Sequence, residues 1–172
     1  MPRRRRPALG WLLLVLALGF LLGRVFRQDE SFRPAPTPGD SWRGVEWVVD
    51  GDTLVLDGGE RVRLIGVDTP ELGGSPRARR PGQPDPFAEE ATAFVRGLVE
   101  GKRVRLAYGP EPTDDYGRTL AYVYLENGTF LNAELIRQGY GRAYTRFPFA
   151  YREEFRRLEQ EARENRRGLW EQ

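Results

Sequence analysis

The chain contains no cysteine, no histidine, a single methionine and only one lysine, Lys102. Without cysteine there is no disulfide, no thiolate metal site and no cysteine nucleophile. Without histidine there is no Ser-His-Asp triad, and the commonest general base and zinc ligand are missing. Acid–base chemistry is left to carboxylates, tyrosine or arginine-assisted water. A bound metal must accept oxygen ligands, which favours calcium, magnesium or manganese over zinc or copper. The near-absence of lysine beside abundant arginine is compositional bias and carries no mechanism.

What is present suits one soluble domain with an appendage. The 172 residues are 40% hydrophobic and 30% charged, enough for a single core. The net charge of +2 misleads. Six of the 27 basic residues lie in the first 28, which hold no acid, leaving 21 bases against 25 acids, a balance of −4 for residues 29–172. A polyanion is therefore not drawn by a bulk basic field, so local arginines and a bound cation must hold it.

The N-terminus reads as a targeting element. Arg3 to Arg6 precede an uncharged apolar stretch from Pro7 to Gly23, closed by Arg24. Seventeen residues at about 1.5 Å each span roughly 25 Å, at the short end for a bilayer helix. Two readings stand. Residues 1–27 form a signal-anchor helix, with the N-terminus cytoplasmic and the body across the membrane. Otherwise a signal peptide is cleaved and the body is secreted. No cysteine follows the stretch, which excludes a lipoprotein. Residues 28–41, spaced by Pro34, Pro36 and Pro38, read as an extended tether, and the folded domain covers 42–172.

Within that domain the pattern predicts strands at Gly44–Val49, Thr53–Asp57, Glu60–Val67, Arg103–Tyr108 and Thr119–Leu125. Helices are expected at Phe87–Glu100, Phe130–Gln138 and Ala150–Arg167. The fold class is α+β, mostly a five-stranded β-barrel with about three helices, preceded by the N-terminal hydrophobic helix. A two-residue turn at Gly58-Gly59 pairs Asp57 with Glu60 and Leu54 with Arg63. That register makes Asp52 and Arg63 same-face diagonal neighbours.

Acids and arginines fall into three segments: Asp50-Gly51-Asp52-Thr53, Arg63 through Glu71, and Asp114-Asp115-Tyr116-Gly117-Arg118. Taken singly, each is an ordinary turn or loop. Together and in order with Leu120 to Tyr124, Leu131-Asn132, Leu135 to Gly139 and Gly168-Leu169-Trp170, they resemble the staphylococcal nuclease-like (thermonuclease) family over residues 43–170. The resemblance implies an OB-fold barrel and a Ca2+-dependent endonuclease acting on single-stranded or locally unpaired DNA and RNA. It further implies 3′-phosphate ends. By position, Asp52, Asp68 and the Thr69 carbonyl correspond to metal ligands, Glu71 to the general base, and Arg63 and Arg118 to the phosphate-binding arginines. Tyr116 and Tyr144 correspond to substrate-binding positions. The loop arginines Arg77, Arg79 and Arg80 are candidates to guide the substrate backbone. A monomer with no evident protein partner is expected.

The chain also departs from the family pattern. Asp115 stands where the staphylococcal enzyme has lysine, and Arg146 falls near the place of a second tyrosine. Both bear on substrate grip more than on chemistry. The alternative is a noncatalytic OB-fold module that binds nucleic acid or protein. Such a domain is expected to lack Asp52, Arg63, Asp68, Glu71 and Arg118, all of which are present.

Overall fold

Strict alternation marks one barrel strand. In β3 (Glu60–Leu64), Val62 and Leu64 are buried while Arg61 and Arg63 point the other way, the period of two that a half-buried strand requires. The computed structural model describes residue 37, residues 39–73 and residues 83–171. The predicted anchor at 1–27, most of the 28–41 tether and Arg77, Arg79 and Arg80 lie outside the described residues. Among the described residues, no helix is long and apolar enough to cross a membrane.

β1 (Arg43–Asp50), β2 (Thr53–Leu56), β3, β5 (Arg103–Thr113) and β6 (Thr119–Leu125) form a closed barrel in the order β1-β2-β3-β6-β5. All neighbours are antiparallel except β3 and β6, which run parallel. This is the OB-fold arrangement expected from the sequence. Leu54, Leu56, Val62, Leu64, Val104 and Val123 fill its interior. A short ladder pairs β4 (Val67–Asp68) with β7 (Arg142–Ala143). Three helices complete the fold: α1 (Ala88–Val99), α2 (Leu131–Arg137) and α3 (Arg152–Glu164). α1 buries Ala88, Ala91, Thr92, Val95 and Val99, a single stripe at helical spacing.

The hairpin register is a correction. Thr53, not Leu54, faces Arg63, and Leu56, not Asp57, faces Glu60. The loop therefore has three residues, Asp57 to Gly59, with both glycines at positive φ (86° and 80°), a region glycine enters freely. Asp57 leaves the ladder because β1 holds it. Its carboxylate accepts the Gly44 N–H at 2.9 Å, and its own N–H donates to the Gly44 carbonyl at 2.9 Å. A Cβ on Gly44 would lie 2.3 Å from that carboxylate. In this register alternation alone would separate Asp52 from Arg63. They still meet, because Asp52 lies in the turn before β2.

Other boundaries also moved. The predicted strand Glu60–Val67 ends at Leu64, because the chain bends at Gly66 (φ 75°), and Val67 starts a separate strand, β4. β5 runs five residues past Tyr108, through Pro110 and Pro112, and pairing with β6 is interrupted between Tyr108 and Thr113, so neither proline sits in the paired ladder. α3 ends at Glu164 rather than Arg167, where Arg166 takes φ 50° and a 3-10 turn follows at Gly168–Trp170.

Asn132 fastens the barrel to the bend that leads into the acidic segment. Buried in α2, it accepts the Val123 N–H at 2.9 Å and donates to the carbonyls of Ile65 at 3.0 Å and Ala121 at 3.3 Å. Replacing it with Ala orphans the Val123 N–H and strips the Ile65 carbonyl of this donor, while the Ala121 carbonyl keeps the Ile65 N–H at 3.0 Å, so Asn132→Ala is expected to cost roughly 1–3 kcal/mol. Urea denaturation measures this, and a loss below about 0.5 kcal/mol would contradict the bridging role.

Candidate active site

The site begins at the β1–β2 turn. Asp50 Oδ1 accepts the Asp52 N–H at 3.1 Å, a local bond typical of aspartate in turns. Gly51 is required by a close approach, since a Cβ there would lie 2.8 Å from the Thr69 hydroxyl oxygen. Thr69 packed against the turn donates its N–H to Asp52 Oδ2 at 3.2 Å. Asp52 is fully buried, and its Oδ1 receives the Arg63 Nη1 and, at 3.1 Å, the Thr53 hydroxyl. Arg63 Nη2 lies 3.5 Å from the Val67 carbonyl and 3.9 Å from Asp68. The chain reaches Asp68 by bending at Gly66, which takes φ 75° and has no room for a Cβ against Phe149 and Phe155.

Arg118 enters from the loop between β5 and β6. Asp114 organises that loop by accepting the N–H groups of Tyr116 and Arg118 at 3.0 and 2.9 Å. Its other carboxylate oxygen takes both Nε and Nη2 of Arg118 at 2.8 Å. Arg118 Nη1 donates to the Thr53 hydroxyl at 3.4 Å. Thr53 thus links Asp52, and through it Arg63, to Arg118, so both guanidiniums are oriented by the same buried turn.

Glu71 follows Pro70, and its backbone is stitched to Asp85. The Glu71 N–H donates to Asp85 Oδ2 at 3.3 Å, and the Asp85 N–H donates to the Glu71 carbonyl at 2.9 Å. Burial raises the Glu71 carboxyl above its ordinary value. The Asp50 and Asp68 charges add to the rise, while Arg63 and Arg118 oppose it. Burial likewise pushes Asp52 up to about 7 against the pull of Arg63. Asp114 goes the other way: its burial is outweighed by the hydrogen bonds from Arg118 and Tyr116.

These groups share one cleft of about 800 Å³, lined in part by Arg63, Asp68, Glu71, Tyr116, Arg118 and Tyr144. Asp52 and Thr69 are buried beside it. The predicted metal, base and arginine positions therefore converge. Sequence reasoning assigned no role to Asp50, Thr53, Asp85 or Asp114. The first two belong to the motif already singled out, and Asp114 precedes Arg118 at the i, i+4 spacing of a turn clamp. Asp85 carried no local signal. Among the described residues, no group of three or more carboxylates forms a ready metal cage. The donor chemistry nevertheless fits a hard divalent cation. Every ligand available is oxygen, and the buried Asp52 carboxylate, with Asp68 close by, faces a single guanidinium.

Comparison with known proteins agrees with this geometry. Residues 61–172 match the family described as staphylococcal nuclease homologue. The chain is 38% identical over 169 residues to the thermonuclease of Staphylococcus intermedius, covering 94% of this chain and 96% of that protein. With the thermonuclease of Staphylococcus hyicus it shares 35% identity over 128 residues, covering 72% of each. It is also 29% identical over 150 residues to endonuclease YhcR of Bacillus subtilis, covering 83% of this chain but 12% of that protein.

Asp85 holds the backbone of Glu71, and with Glu71 as the expected base it is a positioning residue. Asp85→Ala is expected to lower kcat for phosphodiester cleavage roughly ten- to a hundredfold with little change in KM. Asp85→Asn, which keeps an acceptor oxygen, should retain most of the rate. Steady-state kinetics on one oligonucleotide separate the two, and equal losses in both variants would rule the role out.

Proposed function

This chain belongs to the staphylococcal nuclease homologue family and is a nuclease, a hydrolase of phosphodiester bonds, and we propose that it is a Ca2+-dependent endonuclease. Its substrates on this reading are single-stranded or locally unpaired DNA and RNA, and its products carry 3′-phosphate ends. The observation that carries the proposal is the convergence of Arg63, Asp68, Glu71 and Arg118 on one cleft beside the buried Asp52.

Each residue has a distinct task. Asp52, Asp68 and the carbonyl of Thr69 would hold the metal, which when bound supplies positive charge beside the reacting phosphate and its attacking water. Glu71 takes a proton from that water, and its raised pKa makes it a better base than a solvated carboxylate. Arg63 and Arg118 grip phosphate oxygens, whose negative charge grows as the water oxygen bonds to phosphorus. Asp114 fixes the Arg118 guanidinium beforehand, so little ordering remains at the moment of reaction. The bond from phosphorus to the 5′ oxygen breaks, the phosphate stays on the 3′ side, and the leaving oxygen acquires a proton from solvent.

Residues 1–27 would anchor the protein in the cell membrane, with the N-terminus cytoplasmic, residues 28–41 as tether and the nuclease domain outside as a monomer. The motivation is the arginine cluster before an uncharged apolar stretch.

Full-length protein should cleave single-stranded DNA and RNA with Ca2+ and fail to do so with chelator. Glu71→Gln and Arg118→Ala should each slow cleavage by on the order of 10²–10³. Undiminished cleavage by both variants would sink the assignment. For topology, the anchor predicts a full-length protein in the membrane fraction, and a shortened soluble product would refute it.

A further inference from the structure

Among the described residues, five large hydrophobic side chains are exposed, and three of them line the one cleft: Tyr116 (86%), Tyr144 (36%) and Phe147 (60%). Single exposed apolar residues are normal; three on one cleft are a pattern. Phe147 is not used by the chemistry above, and the loop that bears it is built to hold it outward. The loop starts where the Tyr144 N–H donates to the Gly66 carbonyl at 2.9 Å. It ends where Pro148 restricts the backbone, Phe149 buries against Phe155 (ring centroids 5.4 Å apart) and the Ala150 N–H donates to the Tyr122 hydroxyl at 3.2 Å. Between these pins the Phe147 ring stands 6.1 Å from Tyr144, tilted by 57°. The Arg146 guanidinium lies over it, 5.8 Å from its centroid.

Charge decides what this platform takes. Glu111 and Asp115 also line the cleft and are exposed, so that wall repels a phosphate backbone, whereas Arg146 beside Phe147 attracts one. An aromatic face next to a guanidinium suits a nucleobase with its phosphate, and stacking of this kind accepts any base. We propose that Phe147 and Arg146 form an outer nucleotide subsite on a single strand, one step beyond the nucleotide that Tyr144 faces. The base stacks on Phe147 and its phosphate meets Arg146. The assignment rests on the cleft being the nuclease site, and it makes the enzyme favour single strands of several nucleotides, whose bases are free to splay out.

The test compares full-length wild type, Phe147→Ala and Phe147→Trp on two substrates: a ten-nucleotide single strand and a 4-nitrophenyl diester of one nucleotide, which carries a single base. Phe147→Ala should raise KM for the strand about tenfold more than for the one-base diester, with kcat little affected, and Phe147→Trp should restore the strand KM. Equal losses on the two substrates, or no loss on the strand, would overturn the subsite. In chelator, binding of a labelled ten-residue oligodeoxythymidine is compared with that of its abasic counterpart. Wild type should prefer the strand with bases, and Phe147→Ala should reduce that preference about tenfold; an unchanged preference also overturns it. If wild type cleaves neither substrate, the nuclease reading falls, and the binding comparison alone decides the subsite.

Discussion

The carboxylate of Asp52 is sealed from water at the end of a barrel strand, and a buried charge left alone is among the most costly features a fold can carry. The site's partners offset part of that cost, and the remainder shows in the raised pKa of Asp52. Arg63 comes from the neighbouring strand, the Thr69 N–H from the segment after the Gly66 bend, and the Thr53 hydroxyl from the next residue. Thr53 passes the connection on to Arg118, which Asp114 also clamps. Arg63, Thr69 and, through Thr53, Arg118 are thereby tied to one buried acid.

That network also explains how a domain whose body is net negative can take a polyanion. On the proposed mechanism the charges that matter are two guanidiniums fixed by hydrogen bonds within one cleft, not a diffuse surface field. Fixed donors lose little conformational freedom when a phosphate arrives, and they act where water is partly excluded. The acidic wall at Glu111 and Asp115 narrows the paths a backbone can take across the same cleft.

Much of this was legible in the sequence because it is local. β6 covers Thr119–Leu125 as its apolar, aromatic run predicts, and α1 follows its apolar stripe to within a residue at each end. The in-order motif identified Asp52, Arg63, Asp68, Thr69, Glu71 and Arg118, which the fold brings together. What escaped was set by distant partners. The hairpin register depends on Gly44 of β1 claiming Asp57, which no pattern within the hairpin reveals. The length of β5 depends on the sheet releasing Pro110 and Pro112 from pairing. Asp85 meets Glu71 fourteen residues away in sequence, and Phe147 is held outward because both ends of its loop are pinned.

The absence of histidine gives Glu71 its importance. An ordinary solvated carboxylate is a weak base near neutral pH, so a chain without imidazole must strengthen one by environment. Here burial contributes most, and the like charges of Asp50 and Asp68 add to it, whereas Arg63 and Arg118 pull the other way. On the proposed mechanism the two arginines cannot be dispensed with, because they would meet the phosphate. The balance is therefore kept by how deeply the protein seats Glu71, and the paired backbone bonds to Asp85 fix the chain at that residue. Base strength and phosphate grip are thereby coupled, because the guanidiniums that would hold the phosphate also pull the Glu71 carboxyl down against its burial.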